Sequence, residues 1–131
     1  MSKASREKGK RGERMFRDIC REAGFVKTER TGWHQSFSGN AAPDCRIAEL
    51  PTIWPEVKFV EALNVRAAYR QAELAAAIGM TPVVFHKTSR GEWLATLSAQ
   101  DFLGILRRSD LVEWPADASD SEPLGAPAAA N

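Results

Sequence analysis

The sequence of 131 residues predicts an α/β protein in which helices flank a mixed five-stranded sheet, in the order αβββαββα. Three observations predict it. Two segments, 10–23 and 65–78, carry apolar side chains at helical spacing and stop at Gly24 and Gly79. Five short apolar segments of strand length are separated by turn residues. The second helix stands between the third and fourth strands, as in a parallel crossover, which is right-handed by the usual rule.

Composition agrees with one domain that has a real core. Hydrophobic residues make up 44% of the chain and charged residues 27%. No apolar run has the length of a membrane span, and the basic start Met1–Arg6 is not followed by a signal-peptide core. Cys20 and Cys45 lack metal-ligand spacing and read as reduced, buried thiols of a cytoplasmic protein. The net charge of +1 conceals an asymmetry. Residues 1–30 hold ten Lys or Arg against five acids, and residues 109–131 hold five acids and no Lys or Arg. A basic front end fits a polyanionic partner.

In chain order, residues 1–9 form a basic segment expected to be flexible. The helix from Lys10 to Ala23 places Met15, Phe16, Ile19, Cys20 and Ala23 on one face. Lys10, Arg11, Arg14 and Arg17 supply positive charge for phosphate contacts, although a solvated face explains them equally well. Glu13, near the edge of the apolar face, can direct its carboxylate inward. Phe25 to Arg30 reads as a strand, and Arg30 joins the basic set expected to meet DNA. Residues 31–42 form a loop rich in Gly, Ser and Asn. In it, His34 is a candidate proton shuttle or phosphate ligand, and Ser36 and Ser38 are candidate phosphate donors.

Asp44–Leu50 and Ile53–Val60 read as the second and third strands. Pro55 cannot donate to a ladder, so it requires a strand start, an edge or a bulge. Asn64 caps the second helix. Its small residues, Ala68 and Ala72 among them, face the sheet. Arg66 and Arg70 share a polar face as further DNA contacts, and Gln71 lies beside the small-residue face as possible support for the site. Pro82–His86 and Trp93–Leu97 complete the sheet, and Ser98 caps a last helix to about Arg108. From Pro115 onward the acidic, Ala- and Pro-rich tail lacks the apolar content to order itself. The compact domain is thus expected over residues 10–114.

The chemistry concentrates in Pro43-Asp44 and Glu56-Val57-Lys58. Alternation along a strand puts Glu56 and Lys58 on one face and Val57 on the other. Two carboxylates on one spot repel unless a cation lies between them. The cluster is therefore either a divalent-metal site or an ion pair with a spare acid. As a metal site, Asp44, Glu56 and the backbone carbonyl of Val57 supply oxygens suited to Mg²⁺, with Glu13 completing the shell or holding a water.

This set resembles the PD-(D/E)XK nuclease superfamily. With Glu13 on the basic helix start Lys8-Gly9-Lys10-Arg11-Gly12-Glu13-Arg14, it is most similar to archaeal-type Holliday-junction resolvases and their phage-borne relatives. The resemblance spans about residues 8–108. It implies a restriction-endonuclease-like fold, Mg²⁺-dependent phosphodiester hydrolysis (Mn²⁺ substituting), branched DNA as partner and a homodimer. It also implies roles: Asp44 and Glu56 as metal ligands, Lys58 serving the attacking water, and Glu13 completing the site. Another endonuclease on the same fold, restriction-type or nonspecific, and a non-cleaving nucleic-acid-binding protein are the alternatives.

Overall fold

The computed structural model describes residues 2–31 and 42–116. The elements are α1 (Lys3–Glu22), β1 (Thr28–Arg30), β2 (Cys45–Ile47), β3 (Ile53–Phe59), α2 (Val65–Ala75), β4 (Thr81–Lys87), β5 (Leu94–Thr96) and α3 (Ala99–Arg107). Their order is the expected αβββαββα. The described residues form two compact units that part between Leu97 and Ser98, so α3 belongs to the second. No helix among them is long and apolar enough to cross a membrane.

The expected single five-stranded sheet is replaced by two sheets. β1 pairs antiparallel with β2, and β3, β4 and β5 form a separate sheet in that order. Within it β3 and β4 run parallel, as the crossover predicts, and β4 and β5 antiparallel. Backbone accounting explains the break. Thr81 N–H donates to the Thr52 carbonyl at 2.7 Å. Even-numbered residues of β3 therefore direct their polar groups at β4, and odd-numbered ones direct theirs outward. Of the outward groups, Ile53 N–H is spent on Leu50 O at 3.1 Å. Pro55 has no N–H, and Val57 N–H is taken by the Asp44 side chain at 2.9 Å. A ladder from β2 to β3 would need those donors. Pro55 thus occupies an edge strand, one of its permitted positions.

The first helix is also longer than expected. α1 begins at Lys3, seven residues before the predicted start, with Ser2 capping through Ser5 N–H at 3.1 Å. It ends as predicted, just before Gly24, whose φ of +109° favours glycine. α2 stops at Ala75, short of the predicted Ile78, and its Asn64 cap accepts from Ala67 N–H at 3.0 Å. Ser98 caps α3 as predicted, accepting from Asp101 N–H at 3.0 Å.

The first unit has three layers. α1 covers the sheet face that bears Val57 and Phe85, with Phe16, Cys20, Cys45 and Ile47 in the same core. The Phe16 and Phe85 rings stand 4.5 Å apart. On the opposite face α2 presses Ala68 and Ala72 onto Val84. The buried line of α1 is Gly12, Phe16 and Cys20, whereas Ile19, expected inside, is 37% exposed. Gly12 is the crossing point on β3. A Cβ there would meet the Phe59 Cβ at 2.5 Å, so helix and strand approach closer than alanine allows.

Gly12→Ala should therefore lose about 1–3 kcal/mol in urea unfolding through overpacking. Gly9→Ala, whose Cβ would meet nothing within 4 Å, should be neutral or gain up to ~1 kcal/mol of helix propensity. Equal effects at the two positions would refute the close crossing.

Candidate active site

Asp44, Val57, Lys58 and Glu13 meet at the open edge of β3, whereas Glu56 is not among the residues that line the cleft there. A cleft of about 600 Å³ lies between this edge and the first turns of α1, and Arg6, Lys8, Lys10, Glu13, Asp44 and Lys58 line it. Asp44 precedes β2 and reaches β3 with its side chain, where Oδ2 accepts the Val57 N–H. In an extended strand the carbonyl of a residue points to the same side as its N–H, so the Val57 carbonyl shares this edge with Asp44. The chain around Asp44 is fixed as well. Thr31 N–H donates to Asp44 O at 3.2 Å, and Thr31 Oγ1 donates to Pro43 O at 2.7 Å.

Glu56 is half-buried, and its Oε1 accepts from the Trp54 indole N–H at 3.4 Å. Glu13 enters from α1. Arg30 Nε donates to its Oε1 at 3.1 Å, and Arg30 Nη2 is ion-paired with the same oxygen at 3.1 Å, which leaves Oε2 unclaimed by that contact. Arg30, expected on DNA, is thus engaged within the protein by a carboxylate of the site.

Burial pushes the carboxyl groups of Glu13, Asp44 and Glu56 above their ordinary values. Asp44 adds to the rise at both Glu13 and Glu56, so the three are electrostatic neighbours. The Val57 N–H and Lys58 act against it at Asp44, Lys58 at Glu56, and Arg30 at Glu13. Lys58 forms a direct ion pair with neither Asp44 nor Glu56.

A cation relieves this kind of repulsion, and the donors are all oxygens, which suits Mg²⁺ rather than a softer metal. Among the described residues no three His, Cys, Asp or Glu side chains converge tightly enough to enclose an ion by themselves. Mg²⁺ does not need such a cage. It keeps several waters and binds one or two carboxylates plus substrate oxygens. Asp44, Glu56 and the Val57 carbonyl fit that open pattern.

The remaining predicted residues scatter. Lys10 lines the cleft, with Glu7 at 3.9 Å. Arg11 lies over the Phe59 ring, 5.4 Å from its centre. Arg14 is exposed and near enough to Glu13 to lower its carboxyl. Arg17 pairs with Asp18 at 3.0 Å. Arg66, Arg70 and Gln71 are exposed on α2 and none lines the cleft. His34, Ser36 and Ser38 lie outside the described residues, as does the tail from 117.

Sequence reasoning missed Arg6, Lys8 and Trp54. A signal for Arg6 was present. Lys3, Arg6, Lys10, Arg14, Arg17 and Arg21 recur at intervals of three or four, which extends one helical stripe to the third residue. Both cysteines are free and buried, as expected. Burial raises Cys20 to about 11 and Cys45 to about 12.

No protein-family model, curated protein or solved structure matches the chain.

A carboxyl group whose folded-state pKa is raised costs stability above that pKa. The cost disappears as pH falls through the folded value toward the unfolded one. With a chelator present, Glu56→Gln should therefore melt higher than the parent at pH 8, and the gap should close as pH falls toward 4.5, the ordinary Glu value. A gap of constant size, or of opposite sign, would show that Glu56 is not held at a like-charged, desolvated position.

Proposed function

We propose that the protein is a metal-dependent endodeoxyribonuclease of the PD-(D/E)XK type, with branched DNA, four-way junctions foremost, as its substrate. The observation that carries this reading is the Asp44 carboxylate held on Val57 N–H in a basic cleft that Glu13 and Lys58 also line, with Glu56 as its electrostatic neighbour. A protein that only bound nucleic acid would gain nothing from acids facing phosphate. A divalent cation bound there supplies charge stabilisation at the phosphoryl group and activation of the attacking water.

The chain's own residues divide the remaining work. Asp44, Glu56 and the Val57 carbonyl hold the cation. The Val57 N–H keeps one Asp44 oxygen fixed, so the other is presented to the cleft. Glu13, held by Arg30 on one oxygen, offers the second to the cation or to a water on it. Lys58 orients the attacking water and offsets the charge that develops on the phosphate. Arg6, Lys8 and Lys10 draw the DNA backbone over the cleft. A junction presents two symmetry-related strands, so a homodimer suits the proposed substrate.

The test uses labelled four-way junction, flap and linear duplex with Mg²⁺. Junctions should be cut preferentially, and EDTA should stop the reaction. Asp44→Asn and Lys58→Ala should each reduce the rate by about 10²-fold or more. Cleavage that survives EDTA or Asp44→Asn would refute the metal site. Equal cutting of linear duplex would leave the nuclease reading and replace the junction by a restriction-type or nonspecific substrate.

A further inference from the structure

Beside Lys8, which lines the cleft, an exposed carboxylate collects donors of the kind that bind phosphate. Glu61, just after β3, accepts from Lys8 Nζ at 3.1 Å and from Ser89 N–H at 2.9 Å, and it also bonds the Ser89 hydroxyl. These contacts hold its carboxyl near 2, well below the usual range, with no help from burial. An ammonium, a hydroxyl and a main-chain N–H converging on one anion form a small oxyanion cradle.

Hydrogen bonds brace the turn that carries Ser89. Ser89 lies in the turn between β4 and β5, and Lys87 Nζ ties that turn by donating to Thr88 O at 3.0 Å and Gly91 O at 2.7 Å. Gly91 N–H closes it onto Thr88 O at 3.2 Å. Positive charge surrounds it. Lys8, Arg11 and Lys87 lie 4.9, 5.4 and 5.8 Å from the centre of the Phe59 ring. Lys8 and Phe59 also line the cleft that holds Glu13, Asp44 and Lys58, so a backbone crossing the cleft passes this point.

We propose that Lys8 with the hydroxyl and N–H of Ser89 is a phosphodiester subsite for the DNA strand in the cleft, and that Glu61 occupies it in the DNA-free protein. The inference takes its ligand from the nuclease reading but does not require cleavage. Glu61 is an internal competitor: it keeps the cradle assembled and sets a threshold against weakly held DNA. A strand anchored at the metal site supplies the high local phosphate concentration that displaces it.

Binding of a labelled four-way junction and of a linear duplex in EDTA, across a range of salt, tests this without cleavage. Glu61→Gln should raise affinity several-fold and steepen the salt dependence by about one phosphate contact. Lys8→Gln should weaken binding less in the parent, where DNA must first displace Glu61 from Lys8, than in the Glu61→Gln background, where it should cost several-fold. Such non-additivity marks competition for one cradle. Additive effects would overturn the proposal, because they mean that the two charges act independently on the DNA. The parent offers a second measurement that needs no variant. The Ser89 amide resonance should shift on titration with duplex, and a Ser89 amide that stays in place overturns the subsite.

The two readings fail separately. Junction cleavage with additive variants rejects the subsite alone. Coupled variants without Mg²⁺-dependent cleavage reject the nuclease alone. Absence of DNA binding by every variant rejects the subsite whatever the enzyme does.

Discussion

The hydrogen bond from Val57 N–H to the Asp44 carboxylate is the constraint on which the proposed site depends. It closes the outer edge of β3 with a side chain where another strand would otherwise pair. Pro55, two residues earlier, removes the neighbouring donor, so the sheet ends at β3 and β1–β2 forms its own small ladder. An edge strand with exposed polar groups is ordinarily a liability. Here the same edge is where the proposed cation would meet the Val57 carbonyl and Asp44.

The second requirement is the approach of α1. Gly12 lets the helix cross Phe59 without a Cβ between them, and this sets how deep Glu13 stands relative to Asp44. One side of the helix then builds the core through Phe16 and Cys20. Its early turns continue past the sheet and carry Arg6, Lys8 and Lys10 along the cleft. Burial and like charge raise the three carboxyl groups, and Arg30 and Lys58 offset part of that cost. In the proposed reading a divalent cation would offset the rest.

Much of this was legible in the sequence, for reasons that residue type makes plain. Helical periodicity and terminal glycines located the helices, and the helix between β3 and β4 announced the parallel pair. Alternation correctly placed Val57 in the core and Glu56 and Lys58 on the other face. The sheet division was not legible, because it depends on which side of β3 each N–H faces, a matter of register. Pro55 signalled an edge but not which neighbour was missing. The early start of α1 was concealed by polar composition, although the basic stripe continues to Lys3. Arg30 read as a DNA contact because a sequence shows charge without showing that Glu13 stands beside it. The Glu61–Ser89 contact joins residues 28 positions apart and had no sequence signal at all.

The most direct test of the central claim is where a divalent cation binds. In a ¹⁵N-labelled sample titrated with Mn²⁺, paramagnetic broadening should appear first at the amides of Asp44, Val57 and Lys58, excess Mg²⁺ should reverse it, and Asp44→Asn should abolish it. Broadening that spares the β3 edge, or that persists unchanged in Asp44→Asn, would contradict the account.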